Sequence, residues 1–244
     1  MSLIMRAVMV TDRGHARENN EDAGYAGARL IAVADGVGGM PGGELASEIA
    51  IEVLADLEHR TEGTRSPLDA LEAKIEMAND RIRDVIDASP DLQGMATTLT
   101  AILFDGQRMA LAHVGDSRAY LLRDGELTQL TRDDTYVQAL VDRGAISAEE
   151  ARNHPQRSLI TQAVQGEQLI PSGVLLEPCA GDRLLLCSDG LSDMVDDDAI
   201  GRALREYADP RECGRQLVQL ALDAGGRDNI TVVVADMVED QAAG

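Results

Sequence analysis

Residues 30–39 read Leu-Ile-Ala-Val-Ala-Asp-Gly-Val-Gly-Gly, and this stretch decides the fold prediction. Its apolar run, Leu30–Ala34, predicts a buried strand. One acid, Asp35, follows the strand directly, and a glycine-rich turn follows the acid. Because glycine has no Cβ, such a turn lets a ligand, a metal ion or another backbone segment approach closely. The stretch therefore predicts a carboxylate held rigidly at the edge of a cleft.

The same order of apolar strand, acid and glycine recurs at 184–190, where the acid is Asp189. Asp193 comes four residues after Asp189, so the two acids face one site if a helix starts there. Other acids also lie at predicted strand ends or turns. The complete set is Asp22, Asp35, Asp116, Asp189, Asp193 and Asp228.

An acidic set with only oxygen donors favours Mg²⁺ or Mn²⁺ over zinc or copper. Several carboxylates close together repel one another unless cations lie between them. Two ions about 3.5–4 Å apart can hold a bridging water that attacks phosphorus in line. Arg17 lies near Asp22, and its planar fork suits phosphate oxygens. The pattern indicates a metal-dependent phosphate-processing enzyme. Two alternatives without function stay open: the segment around Arg17 is a plain loop, and Asp116 is an ordinary turn residue.

Composition and charge exclude several other classes of protein. The chain has 244 residues, 44% of them hydrophobic, enough for one large domain or two small ones. A formal net charge of -21 argues against binding to nucleic acids or anionic membranes. No apolar run approaches the roughly 20 residues of a membrane span, and the N-terminus lacks signal-peptide features. Three cysteines without paired spacing predict neither a disulfide framework nor a zinc site, so we expect a cytoplasmic protein. We separately expect a monomer.

Hydrophobic periodicity predicts a mixture of strands and helices. Strands are predicted at 4–12, 23–27, 30–34, 97–104, 108–114, 117–122, 127–130, 169–176, 183–187 and 230–235. Helices are predicted at 44–60, 67–88, 133–141, 147–152, 197–208 and 210–224, with Ser66 as a cap. The four strands of 97–130 are expected to form one antiparallel meander. Residues 131–166 are expected to be an exposed insertion that lies over the sheet edge as a flap, with His154 as a hydrogen-bonded structural residue.

Six short motifs occur in an order that is specific as a set. They are Thr11–Asp22, Ala34–Gly39, Gly94–Leu99, Gly115–Tyr120, Ser188–Asp193 and Arg227–Thr231. Together they resemble the bacterial branch of the metal-dependent protein phosphatases, the protein phosphatase 2C family. The resemblance covers nearly the whole chain. It extends to the flap through Leu130-Thr-Arg132, Val141-Asp-Arg-Gly144 and His154-Pro-Gln-Arg157.

The resemblance implies an α+β fold, a four-layer α-β-β-α sandwich in which helix pairs flank two antiparallel sheets. It implies a single phosphatase domain at 1–240, with the flap at about 131–166 and a tail at 241–244. The implied activity is serine/threonine phosphoprotein dephosphorylation by a water that bridges two Mn²⁺ or Mg²⁺ ions, with a third ion possible. The implied partners are phosphorylated proteins, namely a Ser/Thr kinase or its substrates.

The resemblance also implies roles for individual residues. Arg17 matches the phosphate-binding arginine, and Arg17, Asp35 and Asp189 are expected to carry catalysis. Glu21 is expected to reach a metal ion through water. The expected ligands of the two core ions are Asp22, Asp35, the Gly36 carbonyl, Asp189 and Asp228. The expected ligands of the third ion are Asp116, Asp189 and Asp193.

The chain departs from the family pattern at three positions. Val37 and Met40 stand where relatives have a histidine, so no histidine is evident to protonate the leaving oxygen. Asp134 stands where bacterial relatives often have histidine. Two other functions stay open: a catalytically silent phosphoprotein-binding module on the same fold, and an acidic structural protein that binds cations.

Overall fold

The computed structural model describes residues 2–37, 42–59 and 66–240. Three predictions lie partly or wholly outside the described residues: the turn at 38–40 with Met40, the end of the first helix at Arg60, and the tail at 241–244. Within the described residues the chain forms ten strands and seven α-helices. The strands are β1 Leu3–Asp12, β2 Asp22–Ala26, β3 Leu30–Asp35, β4 Leu99–Phe104, β5 Met109–Val114, β6 Arg118–Arg123, β7 Glu126–Gln129, β8 Ser172–Leu176, β9 Arg183–Cys187 and β10 Ile230–Glu239. The helices are α1 Gly43–Ala55, α2 Pro67–Ala88, α3 Tyr136–Asp142, α4 Ala148–Arg152, α5 Asp189–Ser192, α6 Asp197–Glu206 and α7 Pro210–Asp223.

The strands form two antiparallel sheets. The order is β1-β10-β9-β6-β7 in the first sheet and β2-β3-β4-β5-β8 in the second. Helices α6 and α7 pack on the outer face of the first sheet, and α1 and α2 pack on the outer face of the second. This arrangement confirms the four-layer α-β-β-α sandwich.

The buried side chains divide into three layers because successive residues of a strand point to opposite faces. In β3, Leu30 and Ala32 pack against α1 and α2, whereas Ile31 and Val33 pack between the two sheets. In β9, Leu184 and Leu186 face the other sheet, and Leu185 faces the helices. A strand that is buried on both faces reads as a continuous apolar run, which is why the sequence identified β3 and β9 clearly.

The single meander predicted for 97–130 is wrong. Strands β4 and β5 pair in the second sheet, whereas β6 and β7 pair in the first. The chain crosses between the sheets at Gly115, whose φ of 105° turns the backbone out of the plane of the second sheet. The two Asp-Gly pairs mark the turn inside each hairpin, and the Gly115-Asp116 link joins the hairpins across the sandwich.

The flap is largely exposed, as predicted, but its start is buried. Its first residues, which we call the flap root (131–135), include the buried residues Thr131, Asp133 and Thr135. The predicted helix at 133–141 begins only at Tyr136, because the Thr135 side chain caps it by accepting the Gln138 N–H. The predicted strand at 169–176 likewise begins later, at Ser172.

The helix boundaries otherwise lie close to the predictions. The Ser66 hydroxyl accepts the Leu68 N–H and caps α2, as predicted. The first predicted helix divides into α1 and a 3-10 turn at Asp56–His59. Across the described ranges, every helix is too short or too polar to cross a lipid bilayer.

Candidate active site

Asp22 and Asp35 lie directly opposite each other across the β2–β3 pair. Asp22 is the first residue of β2 and Asp35 the last of β3, so both carboxylates lie at the same end of the second sheet. Like charges at directly opposed positions of an antiparallel pair destabilise the sheet. This pairing needs positive charge nearby to be stable when both acids are ionised.

Asp189 and Asp228 approach this pair from the first sheet. Asp189 starts α5 directly after β9, and Asp228 precedes β10. The two segments lie in close contact, because a Cβ added to Gly190 would lie 1.9 Å from the Asn229 carbonyl oxygen. Glycine at position 190 is therefore required for Asp189 and Asp228 to stand side by side.

Asn229 holds the loop that carries Arg17 and Glu21, although sequence reasoning did not assign it a role. Its amide nitrogen donates to the carbonyl oxygens of Arg13 and Asn19, each at 2.9 Å. Its amide oxygen accepts the Glu21 N–H at 2.8 Å. These three bonds fix the N-terminal loop against Asp228, and only its position in the Arg-Asp-Asn motif marked this residue.

Ser188 is a second residue that sequence reasoning did not assign. Its hydroxyl donates to Asp22 Oδ2 at 2.8 Å and accepts the Thr231 N–H at 2.9 Å. Ser188 is fully buried, so this bond links the two sheets inside the site.

The Asp35 backbone is fixed by two threonines of the Gly94–Leu99 motif. The Thr98 hydroxyl accepts the Asp35 N–H at 3.0 Å, and the Thr97 hydroxyl donates to the Asp35 carbonyl oxygen at 2.9 Å. The Thr98 hydroxyl also pairs with the Ser117 hydroxyl at 2.7 Å, next to Asp116. The backbone of Asp35 is therefore connected to the turn that carries Asp116.

Gly36 packs against the Glu21 backbone. Its N–H donates to the Glu21 carbonyl oxygen at 3.1 Å. A Cβ at position 36 would lie 2.5 Å from the Gly43 carbonyl oxygen and 2.8 Å from the Glu21 carbonyl oxygen. Glycine after Asp35 thus allows three backbone segments to meet, as the sequence predicted.

Arg17 forms an ion pair with Asp228, in which Nη2 lies 2.7 Å from Oδ2. This hydrogen bond raises the pKa of Arg17 above its ordinary value. The two side chains are 37% and 33% exposed, so the guanidinium group remains open to the cleft. Arg17 therefore lies beside the acidic cluster, and its expected role in binding phosphate stays a prediction.

Burial and mutual repulsion raise the pKa values of the clustered acids. Burial raises the pKa of Asp22 to about 6 and that of Asp116 to about 7. Burial also raises the pKa of Asp35, with the charges of Asp22 and Asp189 adding to it, and the pKa of Asp189, with the charges of Asp116 and Asp193 adding to it. Such shifts mean that full ionisation of the cluster near neutral pH costs free energy unless cations are present.

Asp116 and Asp193 lie at the side of the cluster next to the flap. Asp116 is buried, and burial raises the pKa of Asp193 as well. Arg157 of the flap reaches Asp193, with Nε 3.4 Å from Oδ2. These acids and Asp189 line a cavity of about 420 Å³ that continues under the flap. His154 lies in the flap itself, where its Nδ1 accepts the Gln156 N–H at 3.1 Å, as expected for a structural histidine.

The donor set fits hard divalent cations. In the part of the chain that the structure describes, Asp22 Oδ1 is the buried side-chain oxygen that has no hydrogen-bond partner. A buried carboxylate oxygen without a donor is costly unless a cation or a water satisfies it. As the described side chains stand, no three of the acids, histidines and cysteines converge tightly enough to enclose an ion. Direct binding of an ion therefore requires adjustment of these side chains.

Comparisons with known proteins agree with this geometry. The family model described as "Protein phosphatase 2C" matches residues 12–220. Serine/threonine protein phosphatase PstP of Mycobacterium tuberculosis is 53% identical over 98% of this chain and 46% of its own length. Serine/threonine phosphatase stp of Listeria welshimeri is 36% identical over 95% of this chain and 96% of its own length.

A solved structure has the same fold. The catalytic domain of PstP in complex with two manganese ions superposes with a TM-score of 0.91 at 51% identity, covering 97% of this chain and 100% of that chain. The chain spans about half the length of the full PstP protein. On the family match and these relatives, the chain belongs to the protein phosphatase 2C family.

Proposed function

We propose that this chain is a metal-dependent serine/threonine phosphoprotein phosphatase. One observation carries the proposal: acids from both sheets meet in one cleft, with raised pKa values and with a buried, unpartnered Asp22 Oδ1. Family membership supports the activity, and the PstP structure with two manganese ions supports the choice of cation.

The proposal assigns the ions to the residues that the sequence predicted. Two core ions, Mn²⁺ or Mg²⁺, are held by Asp22, Asp35, the Gly36 carbonyl, Asp189 and Asp228, with Glu21 acting through water. A third ion is held by Asp116, Asp189 and Asp193. When bound, the ions supply positive charge for the phosphoryl oxygens and acidify the attacking water. The chain itself supplies the carboxylates. Ser188 holds the Asp22 side chain, Thr97 and Thr98 hold the Asp35 backbone, and Asn229 holds the Glu21 backbone.

Arg17 binds the substrate phosphate in this mechanism. Its guanidinium group is 37% exposed, and its planar fork would bind two phosphate oxygens beside Asp228. The oriented phosphorus is attacked in line by water. The P–O bond to the seryl or threonyl oxygen breaks, and inorganic phosphate and the free hydroxyl leave.

The leaving oxygen takes its proton from a water of the cleft. Valine at position 37 has no proton to give, and His113 is buried in the second sheet, where Thr100 and Arg132 occupy its ring nitrogens. Supply of the proton from solvent is therefore the simplest assignment for this chain.

The substrates in this proposal are phosphorylated proteins, specifically a Ser/Thr kinase or its targets. The phosphatase domain comprises residues 1–240, acts as a monomer and works in the cytoplasm. The net charge of -21 supports protein rather than nucleic-acid partners. Three cysteines without a disulfide, all within the described residues, support a reducing compartment.

The activity is tested with a phosphothreonine peptide and with p-nitrophenyl phosphate after metal removal. Turnover is expected to return on addition of Mn²⁺ or Mg²⁺, and Asp35→Asn and Asp189→Asn are each expected to lower kcat at least about a hundredfold. Asp80→Asn is the matched control, because it also removes one negative charge but lies on the exposed surface of α2. It is expected to leave kcat unchanged. Metal-independent turnover would contradict the mechanism.

The same assay separates the alternative functions. A silent binding module predicts calorimetric binding of the phosphopeptide without turnover at saturating Mn²⁺. A cation-binding structural protein predicts Ca²⁺ binding as tight as Mn²⁺ binding and no effect of Arg17→Ala. The complete set of expected ligands favours the phosphatase over the silent module, and Arg17 beside these acids favours it over the structural protein.

A further inference from the structure

We propose that Asp134 is a positioning residue that clamps both ends of the flap to the turn carrying Asp116, so that the flap and the Asp116 carboxylate move together. The proposal rests on the proposed function, since Asp116 matters only if the site binds ions, and it adds a residue that acts through Asp116 without touching substrate.

The first part of the clamp is a reciprocal pair of hydrogen bonds between Asp134 and Gly115. The Asp134 N–H donates to the Gly115 carbonyl oxygen at 2.6 Å. The Gly115 N–H donates back to Asp134 Oδ2 at 3.0 Å. Both polar groups of the Gly115 backbone, directly before Asp116, are thus held by one flap residue. A bond from an N–H to a carboxylate is stronger than a bond between neutral groups.

The second part of the clamp joins the far end of the flap to the same residue. The Thr161 N–H donates to the Asp134 carbonyl oxygen at 2.8 Å. Gln162 Nε2 donates to Asp134 Oδ2 at 3.2 Å. The chain leaves the fold at residue 131 and returns near residue 162, so Asp134 ties the start and the end of the flap to one point.

The Gly115 turn itself has little freedom to absorb a movement of the flap. Gly115 has a φ of 105°, and a Cβ there would lie 2.7 Å from the side chain of Thr98. On the other side of Asp116, the Ser117 hydroxyl pairs with the Thr98 hydroxyl at 2.7 Å. The Thr98 hydroxyl also accepts the Asp35 N–H, so the residues around Asp116 are held in place. A displacement of Asp134 is therefore expected to displace Asp116 as well.

Neighbouring contacts hold the flap root but do not replace the clamp. Arg118 binds Asp133 through Nη2 at 2.7 Å, and His113 Nε2 donates to the Arg132 carbonyl oxygen at 3.2 Å. These bonds fix the root to β5 and β6. Among the described residues of the root, Asp134 is the one whose side chain contacts both Gly115 and Gln162.

The test compares three variants of the full chain. Asp134→Ala removes both carboxylate contacts and keeps the backbone bonds. Asp134→Asn is the conservative variant, since its amide oxygen can take the place of Oδ2 and accept both the Gly115 N–H and Gln162 Nε2. Asp142→Ala is the matched control, because Asp142 is an exposed flap acid that pairs with Arg132 and lies outside the clamp.

Two readouts other than turnover follow the clamp. The first is Mn²⁺ binding by calorimetry, in which Asp134→Ala is expected to weaken the lowest-affinity ion about tenfold and to leave the tighter ions unchanged. The second is amide hydrogen exchange by NMR, in which the Gly115 N–H is expected to exchange about tenfold faster. Asp134→Asn is expected to recover most of both values, and Asp142→Ala to match the wild type.

Several results would overturn the proposal. Unchanged exchange at Gly115 in Asp134→Ala means that there is no clamp. Faster exchange with unchanged Mn²⁺ binding means that the clamp does not position Asp116. If Asp134→Ala fails to fold, Gln162→Ala decides instead, since it removes the contact to Asp134 at the end of the flap, together with the bonds of Gln162 to the Ile170 backbone, and is expected to shift both readouts in the same direction. A wild-type protein without Mn²⁺-dependent turnover refutes the proposed function and not the clamp, because the exchange readout needs no activity.

Discussion

Asp22→Asn is expected to make the metal-free protein more stable while it impairs the enzyme. Asn has nearly the shape of Asp and can still accept the Ser188 hydroxyl, but it carries no charge. Burial raises the pKa of Asp22 to about 6, which means that the folded state disfavours the ionised carboxylate. The substitution removes that penalty and with it a negative charge that metal binding requires.

The magnitude follows from the pKa of Asp22. Its ordinary value is 3.8 and its folded value about 6, and each pKa unit corresponds to about 1.4 kcal/mol, so ionised Asp22 costs about 3 kcal/mol. Since the folded pKa is raised, Asp22 is protonated in both the folded and the unfolded state below pH 3.8, and the wild type carries no penalty there. The penalty grows as pH rises from 3.8 to about 6 and is complete above that. The advantage of Asp22→Asn is therefore expected to be about 3 kcal/mol at pH 7.5 and about 1 kcal/mol at pH 4.5.

The assay is urea denaturation of the metal-stripped protein at both pH values, with and without Mn²⁺. Added Mn²⁺ is expected to stabilise the wild type by mass action and to stabilise Asp22→Asn much less. Asp80→Asn controls for the change in net charge and is expected to show no dependence of this kind. A variant that is less stable than the wild type at pH 7.5, or an advantage that does not grow with pH, would refute the reasoning.

Three further predictions concern the surroundings of the acids. Arg17→Ala is expected to raise KM for a phosphopeptide about tenfold or more, equivalent to about 1.5–3 kcal/mol, because a charged hydrogen bond to phosphate is lost. Steady-state kinetics measure KM, and an unchanged value would show that Arg17 does not bind the phosphate. Asn229→Ala is expected to lower the free energy of unfolding by about 1–3 kcal/mol, because it leaves the Glu21 N–H and two carbonyls of the N-terminal loop without partners. Urea denaturation measures this change, and an unchanged free energy of unfolding would contradict the role of Asn229. Gly190→Ala is expected to lower the free energy of unfolding by about 1–3 kcal/mol in the same assay, because its Cβ would lie 1.9 Å from the Asn229 carbonyl oxygen. A free energy equal to that of the wild type would show that the backbone relaxes to remove this contact.

Asp35 and Asp189 could be located at strand ends from the sequence because each follows an apolar strand. These two strands are buried on both faces, so their ends are well defined in the sequence, and the recurrence of the pattern in several stretches indicated a shared cleft. The same reasoning identified the helices, whose apolar faces repeat every three or four residues.

The contacts that fix the site could not be predicted in this way. Ser188 binds Asp22, 166 residues away, and Asn229 binds the Glu21 N–H, 208 residues away. Neither contact leaves a periodic signal in the local sequence. The meander prediction was wrong for a related reason: a hairpin pattern shows which strands are joined by a turn, but a link with positive φ such as Gly115 can pass the chain to another sheet.

The role proposed for Asp134 depends on contacts that only the structure shows. The family resemblance marked it only as an acid at a position expected to be histidine. In the fold its carboxylate accepts the Gly115 N–H and the Gln162 side chain, and these bonds join the flap to the Asp116 turn.

The most direct test of the metal centre is anomalous diffraction from crystals grown at a Mn²⁺ concentration that supports turnover. The account predicts two strong manganese peaks between Asp22, Asp35, Asp189 and Asp228, with Asp22 Oδ1 as a ligand. Crystals of the active protein that contain no manganese among these four acids would contradict it.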